Sequence, residues 1–219
     1  MTRKPLMLAF LGIALAVFAS AAWYVSRAVP VGEGASVAPE MAEALMRPYS
    51  PILGPMEAPV TIVEFFDPAC EACRAFHPVV KDIMAEHGDA VRVIIRYTPS
   101  HGEASEESIR LLEAARMQGI FEPVMEAILR EQPRWASHGA PEPGLLLQIA
   151  ETAGLDAEQA RTQMQAPDIV AVLNQDRADV ATLGVRQTPT FFVNEKPLDD
   201  FGEAELRSLV EVEIAANGS

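Results

Sequence analysis

The sequence predicts an α/β fold: a central mixed sheet flanked by helices, with a helical subdomain inserted between its strands. Three observations predict it. Val60-Thr-Ile-Val-Glu-Phe-Phe66 is a β-branched and aromatic run of strand length. A helical stretch from about Cys70 to Glu86 follows it, and a second strand-like run, rich in Val and Ile, spans Ala90 to Tyr97. Strand, helix and strand in that order imply two parallel strands joined by a right-handed crossover. Residues 103–183 then read as helix almost throughout, and strands return only at Thr190–Val193.

The chain opens on a different pattern. Arg3 and Lys4 precede Leu6–Val25, in which no residue is charged. At about 1.5 Å rise per residue a helix of this length spans a bilayer, and the basic flank keeps the N-terminus in the cytoplasm. The same stretch fits a cleaved signal peptide, with Ala19-Ser20-Ala21 as a small-residue cleavage site. Trp23 and Tyr24 sit where an interfacial aromatic belt would lie. Residues 1–27 are thus read as signal peptide or membrane anchor. Both readings put the rest of the chain across the membrane, in the periplasm, anchored by residues 6–25 or released.

Residues 28–59 read as linker and N-terminal extension. Residues 28–38 are rich in Ala, Val, Gly and Pro without helical period, 39–46 fit a short helix, and 47–59 hold four prolines. The domain proper is placed at 60–219, with its helical insertion at about 103–183. Within the insertion, Phe121, Met125, Ile128 and Leu129 share one helix face. Asp156 with Gln159 fits a capping box. Ile169, Val172, Leu173, Asp176, Val180 and Leu183 form a stripe with one polar break, and Gly184 stands at its C′ position. After Thr190–Val193, Asn194-Glu195-Lys196 reads as a hairpin turn into a short strand near Pro197-Leu198, and a last helix runs from about Glu203 to Ile214.

The chain carries 17 basic and 31 acidic residues. Without residues 1–27 the count is 14 to 31, a net charge of −17. Such a domain repels phosphate backbones, which excludes a nucleic-acid partner. The two cysteines are the only pair in the chain and lie two residues apart. A disulfide-stapled scaffold needs more pairs at longer spacing, so Cys70-Glu71-Ala72-Cys73 is read as working chemistry. Cys-x-x-Cys at the start of a helix gives the first thiolate the free N–H groups and positive end of the macrodipole. The second cysteine, one turn in, resolves a mixed disulfide. A zinc site needs a second Cys/His pair, and His77, His87, His101 and His138 form none, so no metal is expected. His77, four residues from Cys73, is expected to face solvent, and Pro78 to kink the helix.

Glu64, inside the first strand on the face of Ile62 and Phe66, is read as a buried acid that exchanges protons with Cys73. Thr188-Pro189 leads into the returning strand. A cis bond there would expose the Thr188 backbone as a docking edge, and a trans proline would simply start the strand.

These segments together — the strand, Asp-Pro-Ala-Cys-Glu-Ala-Cys, the helix with Pro78, and Thr188-Pro189-Thr-Phe-Phe-Val-Asn — resemble the thioredoxin superfamily. The helical block resembles its DsbA-like branch. The resemblance implies a thioredoxin fold, with Cys70 as nucleophile, Cys73 as resolving thiol, Glu64 as the buried acid and Pro189 cis after Thr188. It implies a protein disulfide oxidoreductase with no cofactor beyond the redox-active Cys70–Cys73 pair. Its partners would be extracytoplasmic proteins bearing thiols or disulfides, and a membrane redox partner, DsbB-like for an oxidase or DsbD-like for a reductase. The short N-terminal extension implies a monomer. Strongly oxidising members carry Pro-His between the cysteines; Glu71-Ala72 here implies a less acidic Cys70. Thr188 is the residue type found in isomerase and reductase members. The direction of exchange therefore stays open. The alternative is a non-catalytic binding module of the same fold, a metallochaperone or holdase.

Overall fold

The computed structural model describes residues 39–137 and 139–217. The apolar segment at 6–25 lies outside them. Among the described residues no helix is long and apolar enough to cross a membrane.

The central sheet has five strands, in the spatial order Ile52–Leu53 (β1), Val91–Tyr97 (β3), Val60–Phe66 (β2), Thr190–Val193 (β4) and Lys196–Pro197 (β5). Strand β2 (Val60–Phe66) pairs in parallel with β3 (Val91–Tyr97), and helix α2 (Glu71–His87) makes the crossover between them. Strand β4 (Thr190–Val193) runs antiparallel along the other side of β2, followed by β5 (Lys196–Pro197). All seven residues of β2 are buried. That accounts for its unbroken apolar run, because a central strand covered on both faces needs no polar alternation.

The two faces are filled differently. Val60, Ile62, Phe66, Val93, Ile95 and Phe191 belong to the larger core, which α2 and the helical block cover. Val63, Phe65, Ile94 and Phe192 face a smaller apolar cluster with Leu45. Leu45 ends α1 (Pro39–Leu45).

The fold reaches back past Val60, which corrects the boundary drawn at residue 60. Strand β1 (Ile52–Leu53), hidden in the proline-rich run, adds antiparallel to β3. Arg47 meets Asp179 through two hydrogen bonds of 2.7 and 2.8 Å, and Tyr49 donates to Asp176 at 2.7 Å. Residues 39–59 are therefore part of the folded unit.

The helical block holds α3 (Glu103–Met117), α4 (Phe121–Arg130), α5 (Gln132–Trp135), α6 (Leu146–Glu151), α7 (Ala157–Gln163) and α8 (Pro167–Thr182). The expected face of α4, Phe121, Met125, Ile128 and Leu129, is buried throughout. Asp156 caps α7 by accepting from the Gln159 N–H at 2.9 Å. Helix α8 ends at Gly184, φ +66°, with Val185 N–H to Val180 O and Gly184 N–H to Ala181 O. These are the two bonds of a Schellman motif, and glycine fits there because the turn needs a left-handed residue. The break in the α8 stripe, Asp176, is buried because it meets a buried cation. Arg96 on β3 donates to Asp176 at 2.8 Å and to Asp179 at 2.6 Å.

At the β4–β5 hairpin, Asn194 and Glu195 have φ of +46° and +70°, as a two-residue turn matched to the sheet's twist requires. Helix α9 (Glu203–Asn217) closes the fold over the larger core through Leu206 and Val210.

Candidate active site

Strand β2 ends at Phe66, and the chain turns through Asp67-Pro68-Ala69 into α2, with Cys70 in the N-cap position. Cys70 is 8% exposed and Cys73 0%, so the first sulfur lies at the rim and the second behind it. Both are thiols. The Cys70 thiol is pushed down to about 5. The largest cause is the Cys73 thiol, which donates to the Cys70 sulfur. Burial opposes the shift, while the Thr188 side chain and the N–H groups of Cys73 and Ala72 add to it. Cys73 is pushed far up by burial, by that same donation and by the nearby Glu64 charge, against one N–H from Asp67 at 3.5 Å.

The expectation from Glu71-Ala72 was a Cys70 less acidic than in members with Pro-His between the cysteines; the thiol here lies well below its ordinary value all the same. Glu71 is exposed at the first turn of α2, where water screens its charge, while the donors to the Cys70 sulfur act at contact. The groups that lower this thiol are the hydrogen bonds from Cys73, Thr188 and the backbone N–H groups of Cys73 and Ala72.

Glu64 lies between Ile95 of β3 and Phe191 of β4 in the sheet register. It is 2% exposed and its Oε1 has no hydrogen-bond partner. Burial pushes its carboxyl up to about 8, and the Cys70 charge adds to the rise. The strand reading of Glu64 thus holds, and the acid is close enough to Cys73 for its charge to disfavour that thiolate.

The Thr188–Pro189 bond is cis. It brings the Thr188 carbonyl to the catalytic turn, where it accepts from Cys70 Sγ at 3.3 Å. Cys70, Cys73, Glu64, Thr188 and Pro189 therefore meet at one end of β2 and β4. Helix α2 is continuous through Pro78. His77 departs from expectation: it is half-buried in a cleft of about 520 Å³ between α2 and α4, and burial lowers its pKa.

Two residues of the site escaped sequence reasoning. Gln132, at the start of α5 and 1% exposed, donates through Nε2 to the carbonyls of Pro68 at 2.7 Å and Cys70 at 2.9 Å, while its Oε1 accepts from Arg74. Asp67, 0% exposed, accepts from the Ala69 N–H and from groups of Ser100 and Ser105. The only local signal was Asp67 two residues before Ala69, the spacing of an Asx turn. The partners of both residues lie far along the chain.

A redox dithiol on a helix N-terminus, backed by a buried acid and faced by a cis proline, defines a site for thiol–disulfide chemistry. The family model of thioredoxin matches residues 47–212, and the chain belongs to the thioredoxin family, with DsbA-like proteins as its neighbours. A thioredoxin-like oxidoreductase from Silicibacter pomeroyi superposes with a TM-score of 0.68 at 31% identity, over 80% of this chain and 95% of that one. Disulfide bond formation protein D of Bacillus subtilis is 26% identical over 176 residues, 75% of this chain and 77% of that protein. The Na(+)/H(+) antiporter NhaA of Herminiimonas arsenicoxydans is 31% identical over 147 residues, 67% of this chain. The chain spans only 22% of that antiporter's length.

Proposed function

We propose that the protein is an extracytoplasmic thiol–disulfide oxidoreductase that works as an oxidant of protein thiols. The observation that carries this reading is the asymmetry of the two sulfurs. Cys70 sits at the rim, acidic, beside the cis Thr188–Pro189 edge, and Cys73 sits buried and basic behind it.

In the disulfide form a substrate thiolate attacks Cys70 Sγ. The Cys70–Cys73 bond breaks, its electron pair passes to Cys73 Sγ, and that sulfur takes a proton. Glu64 is the acid within reach of this step, being largely protonated at neutral pH with its carboxyl near 8. A second substrate thiolate then attacks the substrate sulfur of the mixed disulfide. Cys70 leaves as a thiolate, and its low pKa makes it a good leaving group. The substrate gains a disulfide and the protein holds the dithiol. Reoxidation falls to a membrane redox partner of the DsbB-like kind. The Thr188 backbone offers an extended edge for the substrate chain.

A stabilised Cys70 thiolate favours the reduced form of the pair, which supports the oxidising direction. Equilibration with glutathione tests it. The expected reduction potential lies above ~−200 mV, and a value near ~−270 mV, the thioredoxin level, overturns the direction. Oxidative refolding of a reduced disulfide protein tests the class: wild type should accelerate it, and equal rates with Cys70→Ser would sink the enzyme reading in favour of a binding module.

A further inference from the structure

The dithiol turn is gripped from the helical block through one buried carboxylate. Asp67 Oδ1 accepts from the Ala69 N–H at 2.9 Å and shapes the turn into Cys70. Its Oδ2 accepts from the Ser100 N–H at 2.9 Å, from Ser100 Oγ at 2.8 Å and from Ser105 Oγ at 2.8 Å, and lies 2.8 Å from His101 Nδ1. Ser100 and His101 form the link between β3 and α3, and Ser105 lies in the first turn of α3. The His101 N–H in turn donates to Ser105 Oγ at 2.8 Å, so the cradle is itself cross-linked.

The main chain of the same residue touches both cysteines. The Cys70 N–H donates to the Asp67 carbonyl at 3.0 Å, and the Asp67 N–H points to Cys73 Sγ at 3.5 Å. A carboxylate with two oxygens and about four lone-pair sites is here saturated by donors from three segments. Rotation of the Asp67 peptide, which would carry its N–H away from Cys73 and release Cys70, breaks several buried hydrogen bonds at once. Buried charge-assisted bonds of this kind are strong and directional.

We propose that Asp67 is a positioning residue for the exchange reaction, its carboxylate clamped by Ser100, His101 and Ser105 so that the helical block holds the peptide that brackets Cys70 and Cys73 in reactive geometry. The proposal rests on the oxidoreductase reading above for its meaning in catalysis. The Asp67 carboxylate bonds to neither sulfur; it acts by fixing its own main chain, which contacts Cys70 and Cys73. Loosening the clamp has one sign. It frees the turn, and it leaves the Asp67 charge less neutralised beside the dithiol. Both changes disfavour the Cys70 thiolate.

The test uses Ser105→Ala, which removes one buried donor, and His101→Ala, which changes an exposed residue on the loop and spares the core. Ser108→Ala is the control: it deletes a buried hydroxyl on the same helix that bonds to the Ser105 carbonyl rather than to Asp67. Thiolate absorbance of the reduced full chain, followed against pH, reads Cys70, and the equilibrium constant with glutathione reads the pair. Ser105→Ala should lower the Cys70 thiolate-to-thiol ratio at fixed pH by roughly threefold to tenfold, and shift the glutathione equilibrium toward the protein disulfide by a similar factor. His101→Ala should do the same to a smaller extent, and Ser108→Ala should leave both readouts at the wild-type value. Folded Ser105→Ala and His101→Ala proteins that titrate as wild type overturn the proposal, as does an equal shift in Ser108→Ala. A wild type that titrates low but fails to refold a reduced protein would sink the oxidoreductase reading and leave the clamp standing.

Discussion

Each face of the sheet carries a buried ionisable side chain, and the two are accommodated in opposite ways. On the larger core's face, Glu64 sits between Ile95 and Phe191 with Oε1 unpartnered. On the other face, Arg96 is fully buried, lies over the Phe65 ring and meets Asp176 and Asp179. Arg47 and Gln175 complete Asp179, and Tyr49 with the Tyr97 N–H completes Asp176. Burial pushes Asp179 up, but the hydrogen bonds from Arg47, Arg96 and Gln175 outweigh it, and its carboxyl ends below the ordinary value. Glu64 has burial and the nearby Cys70 charge, both raising it and with no donor to oppose them, and ends at about 8. Burial alone therefore does not decide a carboxyl's state; the donors do. The partnered face ties the N-terminal extension and α8 to the sheet. The unpartnered acid carries a proton at neutral pH, which fits the role proposed for it beside Cys73.

The comparison can be broken most severely on the partnered face. Asp176→Ala leaves Arg96 buried with half its anions gone and should cost about 3–5 kcal/mol, read from urea unfolding. An effect below ~1 kcal/mol would mean that the network contributes little. On the other face the sign reverses. The folded-state pKa of Glu64 lies above its unfolded value, so its contribution to stability is present below pH 4.5 and is lost as pH rises through about 8. Glu64→Gln should thus stabilise the reduced protein by about 3 kcal/mol at pH 7, with the gain fading toward pH 4.5, in paired unfolding curves. The same variant should slow disulfide exchange and remove its pH dependence near 8.

Smaller effects sharpen the picture at the dithiol itself. Gln132→Ala strands the carbonyls of Pro68 and Cys70 and should cost about 1–3 kcal/mol, seen as a lower Tm. Cys73→Ala removes the largest cause of the Cys70 shift, so the thiolate midpoint should climb from about 5 toward the ordinary ~8.5. A midpoint that stays near 5 would assign the shift to the helix N-terminus and Thr188.

Much of the framework was legible because its signals are local. The composition of β2 and β3, the stripe of α8 and its Gly184 stop each depend on residues within a few positions of one another. So does Cys-x-x-Cys at a helix start. Strand β1 was missed because two residues in a proline-rich run carry no period; only the edge of β3 makes Ile52 and Leu53 a strand. The polar break at Asp176 was visible as a break, while its reason, Arg96, lies 80 residues away.

By itself the sequence determined the order of elements, the dithiol, the acid six residues before Cys70 and the Thr-Pro pair. Each follows from backbone propensity or from the spacing of a short motif. The tertiary structure alone decided that Thr188–Pro189 is cis and meets Cys70, that Gln132 and Asp67 hold the catalytic turn, and that Cys70 is acidic despite Glu71-Ala72. Those properties depend on donors and acceptors from distant segments arriving at one place, and the energy of a hydrogen bond falls away within an ångström of its proper length. Spacing along the chain carries no record of that distance.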